Sequence, residues 1–278
     1  LRISMGELWQ KRLMVAGFEK TFELGRQFRN EGMDSEHLQD YMQMEFYWAY
    51  ADYKKGMELV KEMYRTVAQE VLGTQKFETR GVEVDFSKDW EEIDYVSEIE
   101  KQTGVNYFDA SIDEIKAKLD ELKVEYEDDQ PKERLMDTLW KQCRQNIVGP
   151  AFVVNIPVEV SPLAKRKEQD PRLVERFFPI FAGSEIGNGY SELNDPVDQK
   201  ERFIRQQEMR EEGDKEAQMH DQDFVEALEH GMPPTCGFGT SIRLFSYLVD
   251  RPIKECQIFP LMKPKAESDL SKEENNNE

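Results

Sequence analysis

Long hydrophobic runs are missing from this 278-residue chain. No apolar stretch approaches the ~20 residues that cross a bilayer, so we expect no membrane partner. The chain begins LRISMGELWQKRL, which lacks the uninterrupted apolar region of a signal peptide. Its three cysteines, Cys143, Cys236 and Cys256, are too few and too widely spaced for a disulfide framework or a thiolate metal cluster. Together these absences predict a protein of the reducing cytoplasm.

Positive charge is also scarce. The chain has 37 lysines and arginines against 57 acids, for a formal net charge of −20. Residues 266–278 hold five acids and one lysine, so they contribute −4 and leave −16 for the rest. This balance argues against non-specific nucleic-acid binding, so we expect no DNA partner and only local RNA contact. An acidic body suits a cationic substrate, and residues 266–278 are predicted to be a disordered acidic tail.

Residues 22–50 alternate with period two and predict two strands joined by a polar loop. The second strand has two faces, one with Tyr41, Gln43, Glu45 and Tyr47 and the other with Met42, Met44, Phe46, Trp48 and Tyr50. The first strand also has two faces, one with Glu23, Gly25, Gln27 and Arg29 and the other with Phe22, Leu24, Arg26 and Phe28. One face is therefore a large apolar wall, and the other, with Arg29, Glu31 and His37 around the loop, is predicted to be the floor of a polar binding site.

The other segments predict helices packed on further strands. Helices are expected over 1–20, 51–73, 196–212, 224–229 and 244–249, and strands over 81–86, 151–158, the start of 177–194, and 236–243. Acidic helices over 88–149 suggest a helical insertion, which we expect to be a solvated decoration without a catalytic role. The predicted organisation is a catalytic core formed by residues 1–87 and 150–265, interrupted by the insertion (88–149) and followed by the tail (266–278).

Three motifs resemble one family. Phe28-Arg29-Asn30-Glu31, followed by Met44-Glu45-Phe46-Tyr47, resembles motif 2 of the class II aminoacyl-tRNA synthetases, and of the lysyl member in particular. The eleven residues EIGNGYSELND, 185–195, resemble the lysyl-synthetase segment before motif 3. Gly237-Phe238-Gly239 with Arg243 resembles motif 3 itself. Two positions depart from the family pattern: Phe178 and Ile242 stand where acids are usual.

The resemblance implies an α+β fold, with an antiparallel sheet of the class II synthetase kind flanked by helices and carrying the helical insertion. It implies ATP-dependent activation of lysine to lysyl-adenylate, followed by transfer to tRNA(Lys), with Mg²⁺ as cofactor. The chain would be a catalytic-core fragment without the anticodon-binding OB domain and motif 1, and the full-length protein a homodimer.

The resemblance also assigns residues to ATP. Arg29 would contact the α-phosphate and the carboxylate of the amino acid, as a planar guanidinium can do with directed hydrogen bonds. Tyr41 would stack on adenine with Arg243 on the other side of the base. Catalysis would rest on positioning and on charge neutralisation by Arg29, Arg243 and Mg²⁺. The remaining assignments are Glu31 to the adenine amino group, His37 to the outer phosphates, and Glu185 to Mg²⁺.

For lysine, the resemblance and the chemistry of an ammonium group point to the same acids. Glu45 and Glu192, with Tyr47, would hold the side-chain ammonium, and Glu7 the α-amino group. Asn188 and Tyr190 would line the same pocket. Because buried acids repel one another without a cation, we expect an empty pocket to be strained and lysine to relieve the strain.

Two alternatives remain open from the sequence. One is a synthetase-like paralog that lysylates a protein acceptor in place of tRNA. The other is a non-catalytic lysine- or nucleotide-binding module, which the departures at Phe178 and Ile242 favour.

Overall fold

The computed structural model describes residues 2–30, 32–211 and 219–261. Glu31 and the predicted tail lie outside these residues. The helices are α1 (Glu7–Val15), α2 (Tyr53–Leu72), α3 (Tyr95–Thr103), α4 (Ile112–Glu121), α5 (Lys132–Cys143), α6 (Pro196–Glu211), α7 (Gln222–Glu229) and α8 (Arg243–Leu248). The strands are β1 (Lys20–Phe28), β2 (Asp40–Ala49), β3 (Lys76–Thr79), β4 (Val82–Asp85), β5 (Glu91–Asp94), β6 (Ala151–Val154), β7 (Ile156–Pro157), β8 (Leu173–Val174), β9 (Arg176–Phe181), β10 (Ser184–Glu185), β11 (Asn188–Ser191) and β12 (Thr235–Ser241).

The main sheet has the strand order β1-β2-β12-β11-β9-β6-β5, with β10 paired to β9. Its neighbours are antiparallel except for β5 and β6, which run parallel. The helices flank this mostly antiparallel sheet, which confirms the predicted α+β class. No described helix combines the length and apolarity needed to cross a bilayer.

The predicted hairpin is β1 and β2. The register pairs Glu23 with Glu45 and Gln27 with Tyr41, and paired residues share a face of the sheet. The polar faces of the two strands therefore coincide, as the alternation predicts.

The opposite face of the sheet is covered by α2. Phe46 and Trp48 of β2 pack with Phe238 and Phe177 in the core cluster beneath this helix. On β1, however, Phe22 is 76% exposed and Leu24 63%. The predicted apolar wall is thus covered on β2 but not on the edge strand β1, because α2 lies over β9, β11 and β12.

Residues 88–149 are less purely helical than the sequence predicts. Helices α3, α4 and α5 do form there, and α4 begins with the predicted capping box between Ser111 and Glu114. But β5 lies in the same segment and joins the main sheet beside β6. A second core cluster, which includes Leu139 and Trp140 of α5, packs these helices against Phe178 of β9. The division of the chain into core and insertion stays a prediction.

Helix α1 is shorter than predicted. Gly6 and Gly17 have left-handed φ values of +74° and +92°, and the helix lies between them. Its buried Met14 packs with Phe224 of α7 and Tyr47 of β2 in a third core cluster. This packing fixes α1 against the end of the polar sheet face.

Candidate functional site

A cavity of ≈ 530 Å³ lies over the polar face of the sheet. The structure brings to its walls every predicted site residue that it describes, namely Glu7, Arg29, His37, Tyr41, Glu45, Tyr47, Glu185, Asn188, Tyr190, Glu192 and Arg243. Glu31 lies outside the described residues. Residues far apart in sequence therefore meet around one space.

Strand register explains how these side chains converge. Tyr47 of β2 pairs with Gly237 of β12, and Gly237 pairs with Tyr190 of β11. One row further along the strands, Glu45 pairs with Gly239, which pairs with Asn188. Both rows lie on the same face because side chains alternate with period two.

The two glycines of β12 leave room for the acids. A Cβ at Gly237 would lie 2.0 Å from Glu192 Oε1 and 2.8 Å from Tyr47 Cε1, far inside contact distance. A Cβ at Gly239 would lie 3.2 Å from Glu45 Cγ. These two positions therefore need glycine for steric reasons. The sequence alone does not reveal this, because it shows only a glycine-rich junction between a strand and a helix.

One end of the cavity is acidic. Glu45 accepts hydrogen bonds from Gln43 Nε2 (2.6 Å) and the Tyr47 hydroxyl (3.1 Å), and Glu7 accepts one from the Tyr190 hydroxyl. Burial raises the pKa of Glu45, and the charge of Glu7 adds to this, while the two hydrogen bonds act the other way. Three carboxylates in a partly desolvated space can bind ammonium groups.

Sequence reasoning missed a buried lysine behind this end. Lys11 of α1 is only 1% exposed, and its Nζ lies 2.6 Å from Glu192 Oε2 and 2.9 Å from Glu7 Oε1. The Glu7–Lys11 spacing of four along a helix was the available signal. The sequence predicts a pocket whose acids lack a cation until a substrate binds. The structure corrects this prediction, because the ammonium of Lys11 already contacts Glu7 and Glu192.

The other end of the cavity holds cations and aromatic rings. Arg29 Cζ lies 5.9 Å from the Tyr41 ring centroid. Arg243 donates from Nη1 to the backbone oxygen of Glu185 (3.4 Å), and its buried Nε has no hydrogen-bond partner among the described residues. His37 Nδ1 is 2.8 Å from the carboxylate of Asp34. Guanidinium groups beside an aromatic ring suit a phosphorylated ligand with a planar base.

The model of the family described as tRNA synthetases class II (D, K and N) matches residues 1–263. The chain belongs to this family of class II tRNA synthetases. It is 44% identical over 261 residues to the lysine--tRNA ligase of Thermotoga sp. (strain RQ2), covering 93% of this chain and 52% of that protein. It is 42% identical over 271 residues to the lysine--tRNA ligase of Clostridium tetani (strain Massachusetts / E88), covering 95% and 54%. The chain thus spans about half the length of these curated relatives.

In this class II synthetase chain, the predicted metal ligand is tied to the helical segment. Trp140 of α5 donates from Nε1 to Glu185 Oε1 at 2.5 Å. A side chain from α5, within the predicted insertion (88–149), therefore contacts one of the predicted site carboxylates. The expectation that this segment has no catalytic role stays a prediction. A tryptophan within an amphipathic helix gives no sequence signal for such a contact.

Phe178 leaves Glu185 without the second carboxylate that the family pattern provides. Phe178 is buried, and the Arg176 guanidinium lies 4.5 Å from its ring centroid. Across the described ranges, no three His, Cys, Asp or Glu side chains are grouped to hold a metal ion. Mg²⁺ commonly uses one or two carboxylates with phosphate oxygens and water, so Glu185 alone fits a shared ion but not an all-protein site.

Arg176 is a second residue that sequence reasoning missed. It donates from Nε to Asn188 Oδ1 (2.9 Å) and from Nη1 to Val160 O and Ser161 Oγ (both 2.8 Å). The bonds to Val160 and Ser161 hold the Arg176 guanidinium in place. Its bond to Asn188 then orients that amide at the cavity, which Arg176 and Asn188 both line.

Proposed function

We propose that the full-length protein is a lysine--tRNA ligase, which forms lysyl-adenylate from lysine and ATP and transfers lysine to tRNA(Lys). The observation that carries this proposal is a single cavity with three carboxylates, Glu7, Glu45 and Glu192, at one end and Arg29 and Arg243 at the other. Lysine has an ammonium at its far end and a carboxylate at its near end. Lysine therefore fits the cavity when its side-chain ammonium faces the three carboxylates and its own carboxylate faces the two arginines.

The near end is where bonds would change. A lysine carboxylate oxygen attacks the α-phosphorus of ATP, and the bond from that phosphorus to the bridging oxygen breaks and releases pyrophosphate. Arg29 would hold the carboxylate beside the α-phosphate, and Arg243 would stabilise the charge that develops there. Adenine would stack between Tyr41 and Arg243. No protein nucleophile is needed.

The outer phosphates would extend toward His37 and Glu185. When bound, Mg²⁺ would neutralise phosphate charge, with Glu185 as its protein ligand and phosphate oxygens and water completing the coordination. Glu31, assigned to the adenine amino group, belongs to the proposal on the family resemblance alone.

The far end would select lysine by charge. Glu45 and Glu192, with Tyr47, would bind the side-chain ammonium, and Glu7 the α-amino group. Asn188 and Tyr190 would close the pocket around the aliphatic stem. An amino acid with a neutral side chain would leave Glu45, whose hydrogen bonds come from Gln43 and Tyr47, without a cation, which is costly in a partly desolvated space.

We further infer a cytoplasmic homodimer for the full-length protein. At the edge strand β1, Phe22 and Leu24 are exposed on the same face of the sheet. Adjacent exposed apolar side chains on a sheet edge favour burial by another chain. This inference supports the synthetase proposal but does not carry it.

The test is lysine-dependent exchange of pyrophosphate into ATP by the full-length protein. Exchange should occur with lysine and not with leucine, and Arg29→Ala should lower its rate by about 10²–10³-fold, as loss of a transition-state cation does. Arg26→Ala is the matched control: Arg26 lies on β1, shortly before Arg29, but it pairs with Asp40 and is half-exposed, so exchange should be unchanged.

Radiolabelled lysine then identifies the acceptor. Transfer to tRNA(Lys) supports the ligase, whereas transfer to a protein would identify the paralog. Lysine binding without any exchange would identify a binding module and refute the enzyme.

A further inference from the structure

Lys11 is a buried cation behind the lysine pocket. Its ammonium contacts Glu7, one turn earlier on α1, and Glu192, which follows β11. It also lies 5.4 Å from the Tyr190 ring centroid and 6.0 Å from that of Phe224, distances at which aromatic faces stabilise a cation. Both ion pairs and both rings therefore hold one ammonium group in place.

The two oxygens of Glu192 face different neighbours. Oε2 contacts Lys11 and makes no hydrogen bond among the described residues. Oε1 lies over Gly237, which lines the cavity. Glu7 similarly directs Oε1 to Lys11 and to the Tyr190 hydroxyl, so Oε2 is its remaining oxygen. Each carboxylate thus has one oxygen held by protein groups and a second that a ligand could use.

We infer that Lys11 is a positioning residue of the lysine pocket, whose ammonium favours the ionised forms of Glu7 and Glu192 and turns both side chains so that one oxygen of each can bind a substrate ammonium. This inference rests on the proposed function, because it concerns how that pocket recognises lysine. Lys11 would act through the two acids and not by touching the substrate.

The charge environment supports the inference. Burial opposes ionisation of Glu7, but Lys11 and the Tyr190 hydroxyl more than offset it, so the pKa of Glu7 lies below its usual value. For Glu192, burial raises the pKa to about 8 even though Lys11 opposes the rise. The other ionisable groups that face the cluster are Glu45 and Tyr47 of β2, Tyr190 of β11 and Arg176 of β9.

Removal of Lys11 should therefore shift the pH dependence of lysine binding. Lysine requires ionised Glu192, so the parent protein should bind lysine more tightly as pH rises toward about 8, until deprotonation of lysine's own α-ammonium weakens binding at higher pH. In Lys11→Met, Glu192 loses the cation that lowers its pKa, so its pKa rises further. We expect lysine affinity at pH 7 to fall by about tenfold or more and its pH midpoint to rise by about one unit or more, since one pKa unit corresponds to a factor of ten.

The experiment is calorimetric titration of the full-length protein with lysine from pH 6.5 to 9.5, with ATP titrated alongside. Lys11→Arg keeps a positive charge and should keep the pH midpoint near that of the parent protein. Lys20→Met, which removes an exposed lysine that lies over Trp48, controls for the loss of one cation elsewhere. ATP affinity should be unchanged in all three variants.

A parental pH profile in folded Lys11→Met would overturn the inference and leave the proposed function standing. If Lys11→Met does not fold, the double variant Lys11→Met/Glu192→Gln removes the pair together, which buried ion pairs tolerate better than loss of one partner. Compared with Glu192→Gln alone, the double variant should bind lysine less tightly, because Glu7 also loses its cation. Equal lysine affinity in these two variants would overturn the inference. Failure of the parent protein to bind lysine at any pH would overturn the proposed function itself.

Discussion

Glu45 is the acid of the pocket whose hydrogen bonds come only from neutral groups. Gln43 and Tyr47 donate to it, and Gln27 donates to Gln43 and so orients that amide. Glu7 and Glu192, in contrast, both contact Lys11. At the residue scale, Glu45 is therefore the carboxylate with the most charge left for an incoming cation.

We expect Glu45→Gln to weaken lysine binding by about 10- to 100-fold, the usual value of a hydrogen bond to a charged group, and to leave ATP binding nearly unchanged. Calorimetry with each ligand measures both effects. Glu23→Gln is the matched control, because Glu23 is the cross-strand partner of Glu45 but is bound to Arg2. An unchanged lysine affinity in Glu45→Gln, with an unchanged preference for lysine over its neutral analogue norleucine, would contradict a role for Glu45 in lysine binding.

Among individual residues, the sequence predicted some side chains that line the cavity but missed others that contact them. Arg29, Glu45 and Glu192 stand in motifs that are continuous in the chain, so a local match finds them. Lys11 and Arg176 stand in no such motif. Their importance depends on burial and on partners far along the chain, and neither property can be read from local spacing.

At the scale of elements, β12 determines how close the acids can come to the sheet. It lies between β2 and β11, so its glycines face side chains from both neighbours. The sequence predicted the strand and the turn into α8 correctly. It did not predict why Gly237 has no side chain, because that requires the register with Tyr47 and the position of Glu192.

Gly237→Ala should displace the Glu192 carboxylate and weaken lysine binding by at least tenfold, with a loss of about 1–3 kcal/mol in the free energy of unfolding from overpacking. Thermal unfolding and lysine titration measure the two effects. Gly25→Ala, on the same face of β1, is the control, because its Cβ would first meet the flexible end of Met5 at 3.4 Å. Equal effects of the two substitutions would contradict the steric explanation.

At the scale of the whole molecule, the segment 88–149 is joined both to the main sheet and to the site. Strand β5 extends the main sheet beside β6, and Trp140 contacts Glu185. The sequence predicted the helices of this segment because each has its own apolar stripe. It could not predict these two contacts, since both depend on how distant regions of the chain pack together.

Trp140→Phe removes the donor to Glu185 while keeping an aromatic ring in the core. Trp140 contacts Glu185 and not the ligand, so its effect on ATP binding is indirect and smaller than that of a direct hydrogen bond. We expect the KM for ATP with Mg²⁺ to rise by about 3- to 10-fold, with lysine affinity unchanged. Steady-state exchange kinetics at varied ATP and Mg²⁺ measure this effect. Trp9→Phe, at an indole that is 69% exposed, should change neither value. A rise in the lysine Kd as large as that in the KM would instead indicate general disruption of the fold.

The contact between Trp140 and Glu185 also has a practical consequence. An indole that donates to a carboxylate emits light at a wavelength and intensity that depend on the charge beside it. A ligand or ion that reaches Glu185 would alter that charge, so we expect Trp140 to act as an intrinsic optical reporter at the Glu185 end of the cavity. The difference in fluorescence between the parent protein and Trp140→Phe would isolate this signal from the other three tryptophans, without any added dye.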